Sequence, residues 1–325
     1  MSNPHSGTKA VIAALSANFF IALTKFAAWA LTGASSMLAE GVHSIADTAN
    51  QILLLVGGKS AKKAPDVEHP FGFGRVRYLN AFLVAIILFS LGGLFALYEA
   101  YEKYVEVSEG HPNELLEGPW WWVPIAVLCF GIFAEGMSFR TAVKESAEAR
   151  GKQSLFRFIR ATKAPELPVI LLEDFAALLG LLFALGGVGL TLLTKNGIWD
   201  AVGTGCIGVL LICVAIVLAI EIKSLLIGEA ASPGRIKRMT AALEGAPGVS
   251  RVIHMRTLHL GPDEILLAAK IAVPPTESAA ELSEIIDTAE AAVRAAVPKA
   301  SIVIYLEPDV DRGGVATAVS PRTPS

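Results

Sequence analysis

Five polar residues, Ser36, Glu40, His43, Asp47 and Asn50, recur inside one apolar stretch at intervals of 4, 3, 4 and 3. Those intervals place them on one face of a helix. An ionisable side chain costs about 3 kcal/mol at the centre of a bilayer helix, so such a face must turn toward protein or a water-filled path. His43 and Asp47 stand one turn apart and point the same way, offering an imidazole nitrogen and a carboxylate to a metal ion held between helices. The stripe could instead be interhelical hydrogen-bond glue, but glue needs only one or two polar groups. A second set of carboxylates, Glu173-Asp174, lies within LPVILLEDFAALLGLLFAL. Adjacent residues diverge by about 100° around a helix. One of the two therefore suits a ligand and the other a neighbouring or proton-handling role, with pairing to Lys25 as the alternative. Glu135, alone in its apolar stretch, reads equally as structural.

The segment DVEHPFGFGR, residues 66–75, gathers Asp66, Glu68 and His69 beside aromatic and Gly positions. It reads either as a second cation site at the membrane surface or as a structural turn there. Gly72 and Gly74 do not make a phosphate loop, because no Lys-Ser/Thr pair follows them. His254 and His259, five apart on a strand, fall on opposite faces. A solvated or interface role is expected for them rather than a shared metal.

The elements that must position these residues are apolar helices. The 325 residues are 53% hydrophobic and only 18% charged, too apolar for an ordinary soluble globule and too long for a single anchor. A bilayer core of about 30 Å needs roughly 20 apolar residues per helix. Six stretches qualify, near 10–31, 35–57, 79–100, 120–142, 167–193 and 199–222. Lys59, Lys62, Lys63, Arg75 and Arg77 follow the second stretch, and Arg140, Lys144, Arg150, Lys152, Arg157, Arg160 and Lys163 follow the fourth. Those connections are expected in the cytoplasm, and an even number of spans puts both termini there too. A net charge of −3 without a like-charge block excludes nucleic acid as a partner. Cys129, Cys206 and Cys213 lie in apolar runs without CxxC spacing and read as small packing residues. No cleavable signal is evident at MSNPHSGTK, so a bacterial inner membrane is expected.

From 232 onward charges return and the periodicities alternate. Pro233 suits the first turn of a helix to 244. Segments 251–260 and 265–273 read as a hairpin turned at Gly261-Pro262-Asp263. Leu282, Ile285, Ile286, Ala289, Val293 and Val297 mark an amphipathic helix over 279–297, and 301–306 returns as a strand. The fold class expected is an α-helical polytopic membrane protein with six transmembrane helices over 1–231, followed by a C-terminal α+β domain of order α-β-β-α-β over 232–311. A disordered tail over 312–325, rich in Gly, Pro, Ser and Thr, completes it.

SMLAEGVHSIADTANQ, EHPFGFGRVRYLNAF, LLEDFAALLG and SLLIGEAASP, in that order over nearly the whole chain, resemble the cation diffusion facilitator family. GVHSIADTANQ, FGRVRY and LLEDFAALLG are most similar to the branch containing the mitochondrial zinc exporter of animals. The resemblance implies a homodimeric metal/proton antiporter with a metallochaperone-like cytoplasmic domain. It implies a transport site drawing two residues from the second helix and two from the fifth. His43, Asp47 and Asp174 fall on three of those positions, and Ile170 occupies the fourth, usually a His. Glu173, Asn50 or water would then complete the site. In the loop, Asp66 and His69 match ligand positions, while Phe73 stands where some members carry His. In the last strand Tyr305 replaces a His of zinc-binding members and Glu307 keeps a carboxylate. The terminal domain is therefore expected to dimerise without binding zinc.

The function expected is export of Zn²⁺, or alternatively Mn²⁺, Fe²⁺ or Co²⁺, by alternating access, with protons returning through His43 and Asp47. His43, with an unperturbed pKa of about 6.5, is the natural titrating member. No cofactor beyond the transported cation is expected; the partners are the ion, protons, membrane lipid and a second copy of the chain. An intramembrane metalloenzyme is disfavoured, since there is no HExxH and no second membrane His beside His43. A non-transporting metal sensor is the other rival.

Overall fold

The computed structural model describes residues 4–111, 113–151, 154, 166–298 and 300–310. The expected tail over 312–325, and Lys152, Arg157, Arg160 and Lys163 of the basic connection, lie outside the described residues. The chain parts into two compact units. One holds the chain up to Ala61 with Val76–Lys223, and the other holds Lys62–Arg75 with the chain from Ser224 onward.

The first unit is helical: α1 (Pro4–Thr32), α2 (Ser35–Ser60), α3 (Val76–Ser108), the single turn α4 (Glu114–Glu117), α5 (Trp122–Arg150), α6 (Glu166–Thr194) and α7 (Ile198–Ile227). Each of the six apolar stretches lies on a helix. Among the described residues four segments, Val76–Ser108, Trp122–Ala147, Val169–Thr194 and Ile198–Ile227, are long and apolar enough to cross a bilayer. The described part of α1 adds the shorter apolar run Asn18–Thr32. α2 falls short because its polar stripe displaces apolar residues. That stripe is turned inward, with Ser36, Glu40, His43, Asp47 and Asn50 all buried. Apolar side chains face out instead, with Leu91, Phe133 and Ile220 64, 66 and 63% exposed, the reverse of a soluble core. Cys129, Cys206 and Cys213 also stand on exposed positions as free thiols rather than packed inside, because their helices rotate those positions outward.

Two devices set the helices. α1 ends at Gly33, whose φ of +58° favours glycine and whose amide donates to Trp29 O at 2.8 Å. The start of α2 has no cap from its own N-cap residue, Ala34. The buried carboxylate of Asp200, on α7, takes that role: its Oδ2 accepts from Ser35 N at 2.7 Å and Ser35 Oγ at 3.1 Å, and its Oδ1 accepts from Ser36 Oγ. A buried helix N-terminus needs such an acceptor for its orphan amides, and a negative charge there also complements the helix dipole. Close approach of glycines packs α7 against its neighbours. A Cβ on Gly93 would lie 2.9 Å from Gly208 O, and one on Gly187 2.8 Å from Trp199 O, so only Gly permits either crossing. α3 contains one wide turn of π geometry, Val84–Phe89, for which the sequence carries no signal.

The second unit contains α8 (Pro233–Glu244), β1 (Arg251–Gly261), β2 (Glu264–Val273), α9 (Ala279–Ala296) and β3 (Ser301–Val310) in a sheet of order β1-β2-β3. β1 and β2 pair antiparallel across the expected Gly-Pro-Asp turn, and β2 and β3 pair parallel with Ile265 opposite Ile302. Parallel pairing requires a crossover, which α9 supplies. Its N-terminus is a reciprocal capping box, Ser278 with Glu281. Met239 and Leu243 of α8, Ile285, Ala289 and Val293 of α9, and Ile265, Leu267 and Ile271 of β2 share one core. β3 runs past the expected end at 306 because its parallel ladder with β2 continues to Val273 opposite Val310, and Lys270 on β2 flanks the extension. It pairs with Glu307 at 3.0 Å and Asp309 at 3.1 Å.

Candidate metal site between the helices

α2 carries Asp47, α5 carries Glu135 and Ser138, and α6 carries Glu173 and Asp174; all five line one cavity of about 290 Å³. Asn18 of α1 lines it as well. Asp47 is 8% exposed, and its Oδ1 has no hydrogen-bond partner. Ser138 Oγ donates to Asp174 Oδ2 at 3.2 Å, and Asn50 Nδ2 donates to Glu173 Oε2. Glu173 and Asp174 thus both reach the cavity with different partners, as divergent neighbours on a helix should.

His43 is buried one turn before Asp47, its Nδ1 3.5 Å from Asp47 Oδ1, its ring 6.2 Å from that of Phe89. Neither ring nitrogen has a hydrogen-bond partner. A buried imidazole left this way keeps a lone pair for a ligand. Among the described residues no three His, Cys, Asp or Glu side chains stand close enough to hold one metal ion; the carboxylates line the walls of the cavity instead. Ile170 packs with Phe139, Ala142, Val143 and Leu171 in an apolar cluster.

Lys25 does not pair with Glu173. Its Nζ lies 2.8 Å from both Glu40 Oε2 and Ser44 Oγ, with the ammonium and the carboxylate both buried. Sequence reasoning assigned Glu40 only to the stripe. It also left Glu135 undecided and did not identify Ser138 or Asp200. The signal available for Glu135 was its charge in an otherwise apolar stretch.

The loop residues form a turn within the second unit. His69 N donates to Asp66 Oδ1 at 2.6 Å and His69 Nδ1 lies 3.2 Å from the same oxygen. The backbone amide of His69 holds the Asp66 carboxyl below its ordinary value. The His69 ring lies 4.5 Å from that of Phe73, and Glu68 is exposed. In the sheet His254 is exposed, as a solvated residue should be, but His259 is buried, correcting the solvated expectation. Its amide donates to Glu229 O at 2.9 Å, and its Nδ1 lies 3.2 Å from Gly261 O. Tyr305 is exposed, and Glu307 is held by Lys270.

Residues 11–227 match the cation efflux transmembrane domain, and residues 231–309 match the cytoplasmic domain of cation efflux proteins. The chain belongs to the cation efflux, or cation diffusion facilitator, family, as its motifs implied, and is an integral membrane protein with a cytoplasmic domain built on a sheet. It is 31% identical over 266 residues to the human proton-coupled zinc antiporter SLC30A9, mitochondrial, covering 81% of this chain and 45% of that one. It is 30% identical over 273 residues to metal tolerance protein C4 of Arabidopsis thaliana, covering 83% and 58% respectively. To the magnetosome protein MamM of Magnetospirillum gryphiswaldense it is 24% identical over 264 residues, covering 80% and 75%. The chain therefore spans less than two thirds of the zinc antiporter and of the plant protein.

Proposed function

We propose that this protein is a proton-coupled antiporter that exports a divalent transition-metal cation, Zn²⁺ foremost, through a site formed by Asp47, Asp174 and His43. What carries the reading is the convergence of carboxylates from α2, α5 and α6 on one small cavity among these helices. Carboxylates enclosed in an apolar surround need compensation, and either protons or a cation supply it. Metal ligands must be deprotonated to bind, so a metal displaces protons and protons displace the metal. That exchange is antiport in its elementary form.

In this reading α1 and α2 join the four apolar helices as spans, and 1–231 forms the transport unit. The 232–311 domain lies in the cytoplasm beside both termini and mediates homodimerisation. The site stays near the midplane while the helices around it tilt between two openings. The membrane is a bacterial inner membrane. Glu173 and Asn50 support the site from one side. Asp66, Glu68 and His69 form a subsidiary cation contact at the membrane surface. One imidazole among oxygen ligands suits Zn²⁺ and also Mn²⁺, Fe²⁺ or Co²⁺.

Purified protein in proteoliposomes with an imposed pH gradient tests the proposal. The parent is expected to accumulate Zn²⁺ against its gradient, and Asp47→Ala is expected to lose that flux while remaining folded by size-exclusion chromatography. Equal flux in the two would refute the site. Metal binding without flux in the parent would establish the sensor reading instead.

A further inference from the structure

We infer that Glu135 on α5 is a direct ligand of the transported cation. The inference rests on the transport reading above and adds a residue and a chemical preference to it. Glu135 lines the same cavity as Asp47, Glu173 and Asp174. It sits three residues before Ser138, so α5 presents a carboxylate and a hydroxyl from one face. Ser138 is already engaged with Asp174 at 3.2 Å, which shows that this face of α5 reaches the carboxylates of α6.

The other donors are accounted for in ways that leave room for Glu135. Asn50 occupies one oxygen of Glu173. One turn before Asp174, Ile170 is packed into an apolar cluster with Phe139, Ala142 and Leu171, so that turn of α6 contributes no donor. The ammonium of Lys25 is held by Glu40 and Ser44. Asp47, mostly buried and with Oδ1 lacking a hydrogen-bond partner, still has an acceptor to give on the opposite wall. A cation entering between Asp47 and Asp174 meets Glu135 as the carboxylate of a third helix. The walls then close on the ion until the oxygens reach about 2.0–2.2 Å from it.

Carboxylate oxygens from three helices form a harder donor set than one rich in imidazole. Glu135 should therefore hold Mn²⁺ more strongly than an imidazole in its place would, relative to Zn²⁺. This makes Glu135 a determinant of metal preference as well as of affinity.

The test uses the full-length protein in detergent, with Zn²⁺ and Mn²⁺ chlorides titrated separately by calorimetry and flux measured in proteoliposomes. Glu135→Gln keeps the size and removes the charge. It is expected to weaken binding of both ions at least tenfold, with Glu135→Asp restoring part of the affinity. Glu135→His is expected to retain Zn²⁺ binding while losing Mn²⁺, shifting the ratio of the two affinities at least tenfold toward Zn²⁺. A carboxylate that only supported packing would leave that ratio at the parent value in every folded variant, and that result overturns the inference. If Glu135→Gln binds both ions as the parent does while Asp47→Ala loses them, Glu135 is no ligand and the transport site stands. If Asp47→Ala also binds normally, the transport site itself fails. Should Glu135→Gln not fold, the Asp and His variants carry the same comparison.

Discussion

Glu40 lies one turn before His43 on the buried side of α2 and meets Lys25 of α1, and breaking their contact has a size that can be worked out. At 2.8 Å the attraction between unit charges is about 6 kcal/mol for an effective dielectric constant of about 20. Removing both ions from water costs several kcal/mol each, so the net value of the intact pair lies near zero. A single replacement is a different matter, because it strands the partner. Glu40→Gln leaves the ammonium with Ser44 Oγ at 2.8 Å and the Glu40 backbone oxygen at 3.5 Å, neither of them charged. Lys25→Met leaves a carboxylate in an apolar surround. Each single variant is expected to lose about 3–5 kcal/mol of stability, whereas the double variant loses much less than the sum of the two. Thermal unfolding of the four proteins in one detergent measures the cycle. If the double variant loses the sum of the single losses, the two ions do not depend on each other and the argument from stranded charge is wrong.

Asp200→Ala removes the acceptor shared by Ser35 N, Ser35 Oγ and Ser36 Oγ. A loss of about 1–3 kcal/mol is expected, the cost of leaving buried donors unsatisfied, and the same unfolding measurement reads it. The Asp66 turn gives a pH prediction. The carboxyl is held below its ordinary value by the His69 amide, so the stabilisation is fully present above the unfolded pKa of about 3.9 and is lost as pH falls through the lower folded value. Amide exchange at His69, corrected for intrinsic rate, should show the same protection from pH 5 upward and lose it only in stronger acid.

Much of the architecture could be read from local pattern. The 4, 3, 4, 3 spacing of the α2 stripe requires a single face, and burial of all five members follows from the cost of exposing them to lipid. The Gly261-Pro262-Asp263 turn and the apolar spacing after Ala279 likewise state their elements outright. What stayed hidden depends on partners far away in the chain. Glu135 has no acidic companion in its apolar stretch of α5, and the carboxylates that line the cavity with it come from α2 and α6. Lys25 could pair with several carboxylates, and only the packing of α1 on α2 selects Glu40 over Glu173. Asp200, acidic in the first turn of its own helix, gave no hint that it caps another. Strand alternation puts His254 and His259 on opposite faces, but only the packing of the sheet decides that His259 is the buried one.

The glycine crossings of α7 bear on how such a chain can change in length. At Gly187 with Gly203 the neighbouring atoms are all backbone, and at Gly93 with Gly208 they include each other's carbonyl oxygens beside the side chains of Ile212 and Leu97, so side-chain changes alone cannot compensate for a shift in register. An insertion or deletion of one residue turns the rest of a helix by about 100°, which would carry a glycine away from its crossing. The π turn at Val84–Phe89 lies just before Gly93 and already contains the slack of one residue. Of all positions in α3, that turn is where descent could add or remove a residue and leave the contact with α7 in place.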